Sequence, residues 1–212
     1  MKKFLAIILT LVTILSLVSA FAMADPLPGG YTEDNVYVNT DGGFSFTCPD
    51  GFSFDSAKDI AKANGITVEQ MNDPAVIAGM LEEGKDITLM SCTGSGSGIA
   101  PTVTLNCKAI DAETAAAIEE MGEDAFLDDS LDVSSLDDLS QNGISIKDSH
   151  ILKHTILGKE VPVMEFTAKI LFVMTKKLDA AFFIRGDRLY YVTILSGGEG
   201  LDYLDLFTET AG

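Results

Sequence analysis

Three cysteines, Cys48, Cys92 and Cys107, and two histidines, His150 and His154, are the residues here whose types suggest nucleophilic or metal-binding chemistry. A cysteine nucleophile needs an accessible, acidified thiol beside a base, and a zinc site needs about four nitrogen or sulfur ligands around one point. The histidines stand at i, i+4, a spacing that suits a metal on a helix. The surrounding pattern Ile151 to Leu157 is that of a strand, where residues four apart lie about 13 Å from each other, so the two cannot share an ion. No two cysteines make a C-x-x-C pair. Cys48 alternates with Phe44 and Phe46, and Cys107 alternates with Val103 and Leu105, which turns both thiols toward a core. In a simple hairpin of 86–92 with 102–109, Cys107 falls opposite about Ile87. Cys92 is then about 16 Å further along, beyond the ~7 Å Cα limit for a disulfide. An odd number of cysteines cannot pair completely within one chain, and three free thiols are expected. Cys48 with a histidine as base is the nearest approach to a nucleophilic set, and burial with Phe44 and Phe46 argues against it.

Two further stretches invite a ligand. Glu119, Glu120, Glu123, Asp124, Asp128, Asp129, Asp132, Asp137 and Asp138 offer oxygens to calcium, yet lack the ordered spacing, central glycine and final glutamate of an EF-hand loop. Ser134 and Ser135 ahead of Asp137 and Asp138 read as helix caps, so a solvated acidic helix and loop is expected. Gly94-Ser95-Gly96-Ser97-Gly98 has neither the lysine of a phosphate-binding loop nor the G-x-S-x-G register of a nucleophile elbow. It joins two strands and reads as a flexible hairpin loop. No catalytic, cofactor-binding or metal-ligating set is expected.

The elements that would carry these residues are legible from turn chemistry and periodicity. Val36 to Thr40 and Phe44 to Pro49 flank Asp41-Gly42-Gly43, a hairpin signal, and Pro49-Asp50-Gly51 is a turn. Helices are expected from Ala57 to Asn64, stopped by Gly65, from a Thr67/Gln70 capping box, and over Ala75 to Glu83 behind Asp73-Pro74. Another runs from Ala112 to about Met121, and Asn142-Gly143 stops the acidic segment. Strands are expected over Ile151 to Leu157, Val161 to Met174, Ala180 to Arg185 and Leu189 to Leu195, with turns at Gly158-Lys159, Thr175-Lys176-Lys177 and Gly186-Asp187. In the longest run Met164, Phe166, Ala168, Ile170, Phe172 and Met174 share one face, and Glu165, Thr167 and Lys169 the other. A short helix, Leu201 to Phe207, closes the chain.

The chain of 212 residues has 14 basic and 32 acidic residues, a net charge of −18. Lys2-Lys3, the apolar Phe4 to Val18 and the small-x-small Ala22-Met23-Ala24 form the three parts of a cleavable export signal, residues 1–24, with Asp25 first in the mature chain. An uncleaved membrane anchor is the alternative, and the first cysteine, Cys48, lies too late for a lipid anchor. Cleavage would leave 188 residues at −20, enough for one domain with a sizeable core. A field of that sign repels phosphate backbones and anionic lipids, so neither nucleic acid nor a membrane surface is an expected partner. Residues 25–34 read as a flexible leader and 35–212 as a single, monomeric domain without a stable membrane span.

Antiparallel strands with helices in the middle and at the end predict an α+β fold, a three-layer α-β-α sandwich around a central, mostly antiparallel sheet. Gly42-Gly43-Phe44-Ser45-Phe46 followed by Pro49-Asp50-Gly51-Phe52 resembles the Mog1/PsbP-like superfamily. So does the late set Ala181-Phe182-Phe183-Ile184, Gly186-Asp187, Leu189-Tyr190-Tyr191-Val192-Thr193 before a terminal helix. The resemblance spans about Asn35 to Phe207 and implies that sandwich, and a non-catalytic accessory or binding role without a cofactor. It departs from the superfamily in carrying Phe52 where a tryptophan is usual. The expected function is a secreted, extracytoplasmic binding or accessory protein of unknown ligand, acting on a protein or cell-envelope component. An exported thiol-dependent hydrolase or redox protein is the alternative.

Overall fold

The computed structural model describes residues 30–95, 100–130, 144–170, 174–196 and 200–210. Residues 1–24, read as an export signal, residues 25–29 of the stretch read as a leader, residues 96–99 of the Gly/Ser segment, Asp132 to Asp138, Asn142-Gly143 and Phe172 lie outside them.

The architecture is α+β. A small sheet holds β1 (Tyr31–Glu33), β2 (Val36–Asn39), β3 (Phe44–Thr47) and β11 (Phe207–Glu209), in the order β1-β2-β3-β11. A large sheet holds β4 (Phe52–Phe54), β5 (Ile87–Gly94), β6 (Thr102–Ala109), β7 (Ile144–Ile156), β8 (Lys159–Ile170), β9 (Met174–Arg185) and β10 (Arg188–Ser196). Its order is β4-β5-β6-β10-β9-β8-β7, and its neighbours all pair antiparallel. Helices α1 (Ala57–Ala63), α2 (Val68–Met71) and α3 (Pro74–Glu82) join β4 to β5, and α4 (Ala112–Met121) and α5 (Glu123–Ser130) follow β6.

Period-2 alternation in the large sheet divides the core in two. Phe183, Tyr190, Val192 and Ile194 face a cluster completed by Phe44, Phe46 and Phe207 of the small sheet and Ile60, Met71 and Leu81 of α1–α3. The intervening Phe182, Leu189, Tyr191 and Leu195 face the opposite way, where Phe126 and Leu127 of α5 cover them with Met164, Phe166 and Ala168. The large sheet is thus the middle of three layers. Phe44 anchors the first cluster, with its ring 5.6 Å from Phe183 and 5.2 Å from Tyr190, both edge-on.

Local punctuation acts as its chemistry requires. Ser56 caps α1 through the Asp59 N–H, Thr67 and Gln70 form the capping box of α2, and Asp73 caps α3 with Pro74 in its first turn. Asn64 ties α1 to the large sheet. Its side chain accepts from the Thr88 N–H at 2.8 Å and donates to the Thr88 carbonyl at 2.8 Å, imitating a strand partner.

Several expectations are corrected. Tyr31–Glu33, inside the stretch read as leader, pairs with β2, because Asp34 and Asn35 take positive φ and turn the chain back on itself. Thr175, Lys176 and Lys177 are not a turn. They lie within β9, since Ile170 already pairs with Met174 and β8 ends there. The terminal segment is a 3₁₀ helix, Leu201–Leu206, and Phe207 belongs to β11, where it pairs with Phe46. The turn after β7 centres on Leu157 and Gly158, with φ 51 and 74, the two left-handed residues of a type I′ hairpin.

Candidate functional site

The strongest concentration of polar chemistry is a row across three neighbouring strands. The register places His150 of β7 opposite Glu165 of β8, and Glu165 opposite Asp179 of β9. Directly paired residues share a face of the sheet, so the three side chains stand side by side on the face that carries Val163 and Ala181. His150 Nε2 is 3.2 Å from Glu165 Oε1, and Lys177 forms an ion pair with the other oxygen, Oε2.

Asp179 is fully buried, and among the described residues neither carboxyl oxygen meets a hydrogen-bond donor. Gly200, at the start of the 3₁₀ helix, packs so close that a Cβ there would collide with Asp179 Oδ2. Burial raises the Asp179 carboxyl to about 6. Lys177 and His150 oppose that rise, and the Glu165 charge with its hydrogen bond to Asp179 adds to it. A protonated Asp179 satisfies this geometry, because it donates to Glu165, whereas two carboxylates can only accept. Asp179 therefore keeps its proton up to mildly acidic pH, beside the Glu165 carboxyl. It presents no nucleophile.

Its signals in the sequence are faint. Glu165 is legible on the polar face of its strand, but Lys177 reads as a turn residue and Asp179 as a strand boundary. Only the acid interrupting Leu178-Asp179-Ala180-Ala181 marks the position. His154 lies apart from the row, 2.9 Å from Asp205 of the 3₁₀ helix. Each histidine has its own carboxylate, and among the described residues no three His, Cys, Asp or Glu side chains are grouped to hold a metal ion.

The three cysteines are free and buried, with exposures of 3%, 0% and 0% for Cys48, Cys92 and Cys107. Cys107 pairs with Ile87, as the hairpin reading expects, and burial pushes its thiol up to about 12. The sequence reading missed that Cys48 and Cys92 share one buried cluster. The influence of Cys92 lowers the Cys48 thiol, and the influence of Cys48 together with burial raises Cys92 well above the ordinary range. The described part of the acidic stretch forms α4 and α5, where Glu123 pairs with Lys159 at 3.1 Å and Asp128 with Lys153. No described helix is long and apolar enough to cross a membrane.

No protein-family model matches the sequence, and no curated protein matches it. Among solved structures, the chain is similar to the solution structure of cyanobacterial PsbP (CyanoP) from Synechocystis sp. PCC 6803 at a TM-score of 0.43 and 10% identity. That alignment covers 91% of this chain and 98% of the cyanobacterial one. The α+β assignment rests on this chain's own strand order and its two-sided core.

Proposed function

We propose that this chain is an exported, non-enzymatic binding or accessory protein of the Mog1/PsbP-like kind, which engages a protein component of the cell envelope. The observation that supports this best is the outer edge of the large sheet. Strand β7 spans thirteen residues, pairs with β8 on one side and has no described strand on the other. Ile151, 40% exposed, stands on it between His150 and His154. An extended edge that pairs on one side only, among the described residues, suits addition of a partner strand. The thiol-dependent alternative draws no support from Cys92 and Cys107, whose thiols are buried and raised.

The test is a photo-crosslinking residue placed at position 151 in the full chain, expressed in the source cells. A discrete adduct with one envelope protein, lost when Lys153→Pro removes an N–H from the same strand, is the expected result. Absence of any adduct, together with thiol-sensitive turnover of an envelope substrate, would put the hydrolase or redox reading in its place. N-terminal sequencing of the extracytoplasmic form should begin at Asp25, or at Met23 if cleavage follows Ala22; retention of Met1 in membranes would refute export.

A further inference from the structure

The C-terminal segment from Gly200 to Glu209 touches both sheets. Its 3₁₀ helix buries Leu204 in the first core cluster, sets the Tyr203 ring 5.3 Å from that of Phe52, and meets β7 through Asp205, 2.9 Å from His154. It then runs directly into β11, which closes the small sheet on β3. The helix begins at Gly200 with no side-chain cap, and that glycine is seated on Asp179: a Cβ there would collide with Asp179 Oδ2 and stand 3.1 Å from Ser196 Oγ. β9 is an inner strand, in which Asp179 pairs with Glu165 of β8 on one side and Ile194 of β10 on the other. The sheet therefore holds Asp179 in place, and Gly200 is the cover that can move. His150 of β7, Glu165 of β8 and Lys177 of β9 are the titratable groups around the carboxyl. β10 brings only Ile194 and Ser196 to it, and the two acids of the 3₁₀ helix, Asp202 and Asp205, are exposed.

We propose that Gly200–Glu209 is a pH-controlled strap, which lies closed over Asp179 while that carboxyl carries a proton and lifts when the proton leaves. The protonated acid needs one acceptor and no water, and Glu165 beside it supplies the acceptor. Once ionised, the same group stands fully buried next to a second carboxylate, and among the described residues neither of its oxygens meets a donor. It then needs water, for which the seated glycine leaves no room. Lifting Gly200 admits that water without breaking a pairing in the large sheet. The closed state binds the proton more tightly than the open one, because burial, with the Glu165 charge beside it, raises the carboxyl to about 6 against 3.8 ordinarily. The strap is therefore firmest below about pH 4. Its opening constant grows as pH rises to about 6, by at most about 100-fold across that range. Because β11 follows the 3₁₀ helix without a break, a full opening also frees the edge of β3.

The test is amide hydrogen exchange of the purified full chain at pH 4.5 and pH 7, with rates corrected for the intrinsic pH dependence of exchange, in the parent, Asp179→Asn and His154→Gln. Peptides covering residues 200–209 should lose protection at least tenfold between the two pH values in the parent and in His154→Gln, and less than threefold in Asp179→Asn. About 0.5 M urea should speed exchange in β6 and β10, which open by global unfolding, and leave the strap's rate unchanged, because a local opening exposes little surface. A parent strap equally protected at both pH values would overturn the proposal. So would a change that persists in Asp179→Asn, one that disappears in His154→Gln, or a strap whose urea dependence matches that of β6 and β10.

Discussion

Replacing Asp179 with asparagine should make this protein more stable at neutral pH and leave it nearly unchanged near pH 4. Burial, with the Glu165 charge beside it, pushes the Asp179 carboxyl up to about 6 in the folded chain against 3.8 ordinarily. Between those two values the folded state holds a proton that the unfolded state has released. Stability therefore falls as pH rises from about 4 to about 6, and remains lowered above that. A difference of about 2 pH units corresponds to about 3 kcal/mol, the largest gain Asp179→Asn can return at pH 7.5. An asparagine amide donates to Glu165 as the protonated acid does, at nearly the same volume. For a chain of this size the gain should raise Tm by about 5–10 °C at pH 7.5. Melting by circular dichroism at several pH values, parent and variant side by side, isolates this group from Asp55 and Asp86. Burial raises those carboxyls too, and their slopes cancel in the difference. A variant less stable than the parent at pH 7.5, or one whose difference from the parent is the same at pH 4 and pH 7.5, would refute the reasoning.

Phe166→Ala should cost about 3–5 kcal/mol in urea unfolding, since the ring is buried on β8 in the cluster that α5 covers. Asn64→Ala should cost about 2–3 kcal/mol by the same measurement, because it strands the Thr88 N–H and carbonyl that β5 cannot satisfy at this point. Replacing His150 and His154 together with glutamine should change stability by less than about 1 kcal/mol, since each contact has one partner open to solvent and glutamine can still hydrogen-bond a carboxylate. Metal content, read by mass spectrometry of the native protein, should not change, and loss of a bound ion would show that the histidines work together after all.

The sequence is most legible where one residue decides one local event. Asp41-Gly42-Gly43 sets the β2–β3 hairpin and Thr67 and Gln70 open α2, while Cys107 lies opposite Ile87 through the loop register and a one-residue shift between Thr88 and Met90. It is least legible where the deciding contact is distant. β1 and β11 are strands of three residues, too short to show a period, and each exists through the partner it meets. Thr175 to Lys177 look like a turn because polar residues cluster there, yet they are strand because β8 pairs with them and Glu165 receives Lys177. The proton-holding row escapes notice for the same reason: His150, Glu165 and Asp179 are neighbours only once three strands are in register. Cys48 and Cys92 share one buried cluster only because one sheet is packed on the other.

The pairing of β11 with β3 has a temporal meaning. Phe207 lies opposite Phe46, joining segments separated by 161 positions, whereas β2 and β3 are linked by a tight turn. Closing so long a loop is slow compared with forming a hairpin, and a chain emerging from its N-terminus makes Phe44 and Phe46 long before Phe207 exists. Until Phe207–Glu209 arrive, β3 keeps an open edge and its two phenylalanines lack their third ring. The small sheet is thus completed late, and its closure waits on the synthesis of Phe207–Glu209. A chain cut just before Phe207 should stall as a species with one unpaired strand edge, the state most prone to join another chain.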